Sequence, residues 1–210
     1  MKLLVPLFFL LFFVACGDDS SSTSVEVPET EKKAPDIVDG SFTDSRDGQS
    51  YKVTKVGLQT WMAENLNYKT DSSFCYNNLD SNCTKFGRLY QWADAQKACP
   101  SGWHLPSKPE LEKMIKSAGG TESAGQSLKS SSGWTDEGNG TEDNAFSAYP
   151  AGLRNYDGTF GEEGTYAYFW SSTEHDSVIA YYIILYYNND AVRFGNRVKT
   201  DAINIRCVLD

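Results

Sequence analysis

The chain has 210 residues, of which 40% are hydrophobic and 13% aromatic, with a formal net charge of -9 and a mean hydropathy of -0.46. That composition excludes a wholly disordered chain and a polytopic membrane protein, and the acidity excludes nucleic-acid recognition, which needs a basic face to displace counterions. One globular domain fits the length, and His104 and His175, the only histidines, leave little material for a His-based metal centre.

Residues 1–15, MKLLVPLFFLLFFVA, place Lys2 ahead of an apolar run from Leu3 to Val14. The run is short for a bilayer-spanning helix and gives way at once to polar residues, the pattern of a secretory signal. Its end, Phe13-Val14-Ala15-Cys16, is similar to the lipobox of bacterial lipoproteins, although Leu is usual where Phe13 stands. The resemblance implies that Cys16 receives diacylglycerol and becomes the mature N-terminus, and Gly17 after it implies the outer membrane. An ordinary signal peptide with an incidental Cys is the alternative. A multi-acyl anchor buries enough methylenes, at roughly 0.8 kcal/mol each, to hold stably. Cleavage leaves 195 residues with 18 basic and 28 acidic side chains, formally -10. Residues 17–39 are Ser, Thr, Glu, Asp and Pro with few large apolar groups, too few to offset the cost of ordering. Residues 16–40 therefore read as an acylated Cys and a solvated tether, and residues 41–210 as the domain.

Within the domain, Asp47-Gly48 between two strand-like stretches signals a hairpin, because Gly accepts the positive φ such turns need. A second turn at Gly57 leads into Leu58–Met62. Residues 89–98, LYQWADAQKA, space their apolar groups as a short helix that stops before Cys99-Pro100. Ser107, Pro109 and Glu110 make a capping box for a second helix through Leu111, Met114 and Ile115, which Gly119-Gly120 ends. Residues 117–144 read as loop, anchored by Leu128 and Trp134. Strand-like runs follow at Ala145–Leu153, Tyr166–Ser171, Ala180–Tyr187, Ala191–Phe194 and Ala202–Val208, with Asn188-Asn189-Asp190 as a hairpin tip. The order predicts an α+β domain with two short helices in its first half and a mostly antiparallel strand meander after them.

In an oxidising compartment Cys75, Cys83, Cys99 and Cys207 form an even set with three possible pairings. The short, turn-rich spacing YNNLDSN favours a Cys75–Cys83 staple, which leaves Cys99 for Cys207. A metal site lacks both CxxC spacing and His partners, so no metal or cofactor is expected.

The strings DGQSYKVTKVGLQTWMAENLNY, FGRLYQWADAQKACPSGWHLPSKPELEKM, AFSAYPAGLRNYDGTF, FWSSTE and IRCVLD, in this order, resemble the Fibrobacter succinogenes major paralogous domain, a family of exported bacterial proteins often carried on lipoproteins. The resemblance spans about residues 40–210 and implies no known activity. More distantly, WADAQKAC is similar to the first helix of C-type-lectin-like domains, whose Cys pairs with one in the final strand, the places held here by Cys99 and Cys207. GWHLPSKPELEKM and IRCV resemble stretches of the formylglycine-generating enzyme superfamily, a variant of that fold, with His104 where Arg is usual. The likeness implies a C-type-lectin-like, disulfide-stapled fold.

It does not carry activity across. Formylglycine-generating oxidases bind copper through two Cys close together near the C-terminus, whereas Cys207 stands alone there. His104, flanked by Trp103 and Leu105-Pro106, reads as structural, and Ser171, Ser172 and His175 carry no nucleophile-elbow motif. The acidic loop from Asp136 to Asn144 offers oxygen ligands but lacks EF-hand spacing and the motifs of calcium-dependent lectins, so it reads as an exposed loop. What remains is an aromatic crowd in the second half, suited to stacking on sugars or to anchoring an interface. Trp61 and Trp170 are assigned to the core, while Trp134, Asn155, Tyr156 and Asp157 lie in loop-like stretches and are the ligand candidates. The expected protein is a non-catalytic lipoprotein of the outer membrane or cell surface, whose lectin-like module binds a polysaccharide or another surface protein. The alternatives are a degenerate enzyme of the formylglycine-generating kind and a structural envelope protein.

Overall fold

The computed structural model describes residues 35–210. The expected signal segment 1–15, Cys16 and most of the expected tether lie outside the described residues. The tether's last residues do not: β1 (Ile37–Val38) pairs antiparallel with β2 (Ser41–Thr43). The two-residue connection Asp39-Gly40 has both φ positive, at 48° and 72°, the geometry a twisted hairpin requires. Ordered pairing therefore starts at Ile37, upstream of the expected boundary at Ser41.

From β2 the chain turns through Asp44–Gln49 into β3 (Ser50–Val56), then through Gly57-Leu58 into β4 (Gln59–Met62). The Asp47-Gly48 signal marks a real hairpin, with a loop of six residues closed by the Asp44 carbonyl accepting from the Gly48 amide at 2.8 Å. After β5 (Ser73–Phe74) and a single 3₁₀ turn comes α1 (Asp80–Phe86), an unexpected helix that begins between Cys75 and Cys83 and runs on past Cys83. β6 (Leu89–Gln91) is a strand where a helix was expected, and α2 runs only from Trp92 to Ala98. β7 (Trp103–His104) leads to α3 (Lys108–Ser117). The Glu110 carboxylate accepts from the Ser107 amide at 2.8 Å and from the Ser107 hydroxyl at 2.7 Å, which fixes the start of α3. Gly119 and Gly120, with φ of 120° and 89°, terminate it. α4 (Ala124–Leu128) is a second addition to the expected pair of helices.

β8 (Ala151–Arg154), β9 (Phe160–Glu163), β10 (Tyr166–Glu174), β11 (Ile179–Tyr186), β12 (Val192–Val198), β13 (Ala202–Ile203) and β14 (Val208–Leu209) complete the chain. They assemble with the earlier strands into three sheets, in the orders β1-β2-β3-β4-β14-β7, β10-β11-β12 and β5-β6-β13-β8-β9. All pairings between these strands are antiparallel. The fold is α+β with its helices before residue 129, and no described helix is long and apolar enough to cross a membrane.

β10 explains why the strand pattern in the second half is so apolar. Its alternate residues enter two different cores, Ala167 and Phe169 packing with Leu111, Met114 and Leu128 of α3 and α4, and Tyr168 and Trp170 packing with Tyr90, Ala95 and Ile203. A strand buried on both faces loses the polar alternation of a half-exposed one. Trp61 and Trp170 are fully buried, as expected.

Two disulfides link Cys75 to Cys83 and Cys99 to Cys207, with Cα separations of 4.8 and 5.9 Å. The second joins the end of α2 to the residue before β14 across 108 positions. One further tie is unusual: Arg206 is 1% exposed, donating from Nε to Asn65 Oδ1 at 2.9 Å and from Nη2 to the Ser147 carbonyl at 2.7 Å. Its guanidinium lies 4.2 Å from the Phe146 ring centroid. Burial lowers its pKa, against the opposing pull of Glu64 and Tyr149.

Candidate functional site

The antiparallel register of β10 and β11 places Tyr166 opposite Tyr186, Tyr168 opposite Ile184 and Trp170 opposite Tyr182. These six side chains share one face of the sheet, since strand residues two apart point the same way. The rings meet edge to face: Tyr166 to Tyr186 at 5.7 Å, Tyr168 to Tyr182 at 5.5 Å and Trp170 to Tyr182 at 6.4 Å between centroids. Trp170 anchors the row, its indole N–H donating to the Tyr90 carbonyl at 2.8 Å. Tyr166, Tyr182 and Tyr186 are half-buried and keep part of their surface in solvent.

β12 supplies the rim. Gly195 stands opposite Tyr182, and a Cβ there would meet the Tyr182 ring at 2.5 Å, so the tyrosine lies across the strand only because residue 195 has no side chain. Arg193 and Arg197 flank it on the same face. Arg197 lies 5.6 Å from the Tyr168 ring centroid, pairs with Asp201 and donates to Asn155 Oδ1 at 3.3 Å. The Tyr168 hydroxyl donates to Glu162 Oε2 at 2.6 Å. Burial and, second, this bond to a carboxylate raise the Tyr168 pKa, and burial raises that of Tyr182, so both rings present neutral hydroxyls at physiological pH.

The β8–β9 turn abuts this rim. Asn155 accepts from Arg197, the Tyr156 amide donates to Asp201 Oδ1 at 2.7 Å, and the Tyr156 side chain is 73% exposed. Asp157 closes the turn, accepting from the Thr159 hydroxyl at 2.7 Å and the Thr159 amide at 2.9 Å, bonds that hold its carboxyl below the usual range. Three of the four residues expected from sequence, Asn155, Tyr156 and Asp157, thus come together beside the tyrosine row.

Trp134 is the exception and a correction. It is 6% exposed and packs with Phe146 and Leu128 in the α3–α4 core. Its Nε1 donates to Ser130 Oγ at 3.1 Å and to the Ala148 carbonyl at 3.2 Å. Its backbone is a loop, as its Ser- and Gly-rich neighbours indicate, but the ring anchors that loop inward and offers no face for stacking. Arg193 and Arg197 went unremarked in the sequence. Their signal was the VRFGNRV spacing, which sets both on one face of a strand with Gly between them.

The histidines do not meet a nucleophile. His104 holds Asp210 Oδ1 at 2.7 Å through Nδ1 and Glu110 Oε1 at 2.9 Å through Nε2. Burial works to lower its pKa, but the hydrogen bonds to Glu110 and Asp210 outweigh it and the pKa is raised. His175 pairs with Asp176 at 3.3 Å, while the Ser171 hydroxyl donates to the Pro106 carbonyl at 3.2 Å. In the acidic loop Glu142 is taken up by Ser147 and Ser131, and Asp143 by Thr141. Among the described residues no three His, Cys, Asp or Glu side chains converge on a point where a metal ion could sit.

Against known families, the model of the Fibrobacter succinogenes major domain matches residues 54–209. The chain belongs to that family. The match takes in β4 to β14, and so the whole tyrosine row, the β8–β9 turn and both disulfides of this Fibrobacter succinogenes major domain. No curated protein and no solved structure matches the chain.

Proposed function

We propose that this domain is a non-catalytic binding module of C-type-lectin-like arrangement, carried by an exported, lipid-anchored protein of the bacterial outer membrane or cell surface. Its ligand is a polysaccharide, or another surface protein, received on the tyrosine row and the Asn155–Thr159 turn. The observation that carries the reading is the juxtaposition of half-buried Tyr166, Tyr182 and Tyr186 with exposed Tyr156 and the Arg193 and Arg197 guanidinium groups. Flat apolar faces stack on the C–H faces of sugar rings, and fixed guanidinium, amide and phenol groups hydrogen-bond their hydroxyls.

The Cys99–Cys207 bond from the end of α2 to the last strands supports the lectin-like arrangement. The same bond disfavours copper chemistry of the formylglycine-generating kind, because it occupies the thiol that chemistry would require. A lipobox-like Cys16 and an acidic, polar segment after it support anchoring with stand-off from the lipid surface.

A glycan array and an insoluble-polysaccharide pull-down with the whole chain test the reading. Saturable binding that Tyr182→Ala and Tyr156→Ala each weaken supports it. Binding that neither substitution touches, or no binding together with copper uptake and thiol-dependent oxidation, overturns it.

A further inference from the structure

The sheet β10-β11-β12 has one long edge on which no strand pairs. β10 is sealed on its outer side where it could pair, the Trp170 amide donating to the Asn204 carbonyl at 3.1 Å and the Ser172 amide to the Pro106 carbonyl at 2.8 Å. The other two sheets end in strands of two to four residues. β12, by contrast, runs seven residues as the terminal strand of its sheet.

The direction of its free groups follows from its neighbours. The Lys199 amide donates inward to the Val178 carbonyl at 3.0 Å, so residues 193, 195 and 197, of the same parity, turn their amides and carbonyls toward β11. The Val192 amide instead donates outward to the Thr121 carbonyl at 2.9 Å, and the Val198 carbonyl accepts from the Asp201 amide at 3.0 Å. Phe194 and Asn196 share that outward parity. Among the described residues no hydrogen bond takes up their backbone groups. Two donors and two acceptors are thus presented in the spacing of an antiparallel or parallel partner strand.

The two sides of this edge differ chemically. On the α3 side, Phe194, Ile115, Gly120 and Thr121 line a pocket of about 270 Å³ with an apolar floor. On the tyrosine side stand Arg193 and Arg197, each keeping guanidinium donors beyond those that Arg193 gives to Thr121 and Glu122 and that Arg197 gives to Asn155 and Asp201. An added strand would send alternate side chains into the apolar pocket and toward the two arginines.

We propose that β12 is a docking edge for an extended segment of a partner protein in which apolar residues alternate with acidic ones. Main-chain pairing to Phe194 and Asn196 gives the affinity, the Phe194 pocket selects the apolar side chains, and the arginines select the acidic ones. The edge shares Arg193 and Arg197 with the sugar-binding reading of the tyrosine row, but its main-chain pairing uses Phe194 and Asn196 backbone groups that the row does not.

The test uses the whole protein and a fluorescein-labelled octapeptide of alternating Val and Glu, with a Val/Lys octapeptide as control. The Val/Glu peptide is expected to bind saturably by anisotropy and to slow amide exchange across Val192–Val198. Asn196→Pro removes one outward amide while leaving the inward pairs to β11, and is expected to weaken binding at least about tenfold. Arg193→Glu is expected to invert the preference toward the Val/Lys peptide, which keeps the test open should the proline variant fail to fold. Equal binding of both peptides, unchanged exchange in β12, or full binding by a folded Asn196→Pro protein would overturn the proposal.

Discussion

The Nδ1 of His104 lies 2.7 Å from Oδ1 of Asp210, while its Nε2 reaches Glu110 at 2.9 Å, so one imidazole ties the end of β14 to the first turn of α3. The pairing makes the C-terminal strand sensitive to pH. The His104 pKa is raised in the folded protein, so its contribution is fully present below the unfolded value and is lost as pH rises through the folded one. For Glu110, burial acts upward but bonds from Ser107 and His104 prevail and lower the pKa, so its contribution fades only as pH falls through that lowered value. The clamp is therefore strongest between roughly pH 4.5 and 6.5, the unperturbed carboxylate and imidazole values. Urea unfolding across pH 5 to 9 should show stability declining on the alkaline side, and His104→Gln should flatten that decline. An unchanged slope in the variant would mean the imidazole does not carry it.

The two disulfides should differ in weight. Closing 108 positions between Cys99 and Cys207 constrains the unfolded chain far more than closing 8 between Cys75 and Cys83. In the chain-entropy treatment the long bridge contributes about 4–5 kcal/mol and the short one about 2–3 kcal/mol. Denaturant midpoints of a Cys99→Ala, Cys207→Ala protein and a Cys75→Ala, Cys83→Ala protein should rank accordingly, and the reverse order would contradict this account.

Trp134→Ala should act on stability before it acts on any ligand. The indole is buried in the cluster that holds Phe146 and Leu128, so truncation leaves a cavity and removes the hydrogen bonds that Nε1 gives to Ser130 and Ala148. The expected loss is about 3–5 kcal/mol, read as a lowered denaturation midpoint. A variant of wild-type stability would return Trp134 to the surface.

What the sequence disclosed depended on how local the determinant was. Asp47-Gly48, Gly57, the Ser107–Glu110 box and Gly119-Gly120 act within a few residues, and each marks the turn or helix end it signals. α1 was illegible because DSNCTKF holds mostly weak helix formers; the helix is fixed by the Cys75–Cys83 bridge and by the buried side chains of Cys83 and Phe86, which are tertiary constraints. Leu89–Gln91 carries an apolar pattern open to either period, and pairing with β13 and β5 decides it as strand. At the site, the excess of tyrosines was plain, but their facing was not. β10 is buried on both sides, so no polar alternation says whether Tyr168 or Phe169 turns toward the arginines.

Gly195→Ala offers the sharpest probe of the tyrosine row, because it adds a single methyl group directly under the Tyr182 ring. The added Cβ would stand 2.5 Å from the Tyr182 ring, which must then tilt off β12 and away from Trp170 and Tyr168. Overpacking of this kind costs about 1–3 kcal/mol. Tyr182→Ala in the same background should relieve that cost, since the small side chain leaves room for the new methyl, so the two changes should be non-additive by a comparable amount. If the row is also the binding face, Gly195→Ala weakens polysaccharide binding while leaving the Val/Glu peptide able to pair with Phe194 and Asn196. Additive stability losses would show that residue 195 and Tyr182 do not share the space that the fold assigns to them.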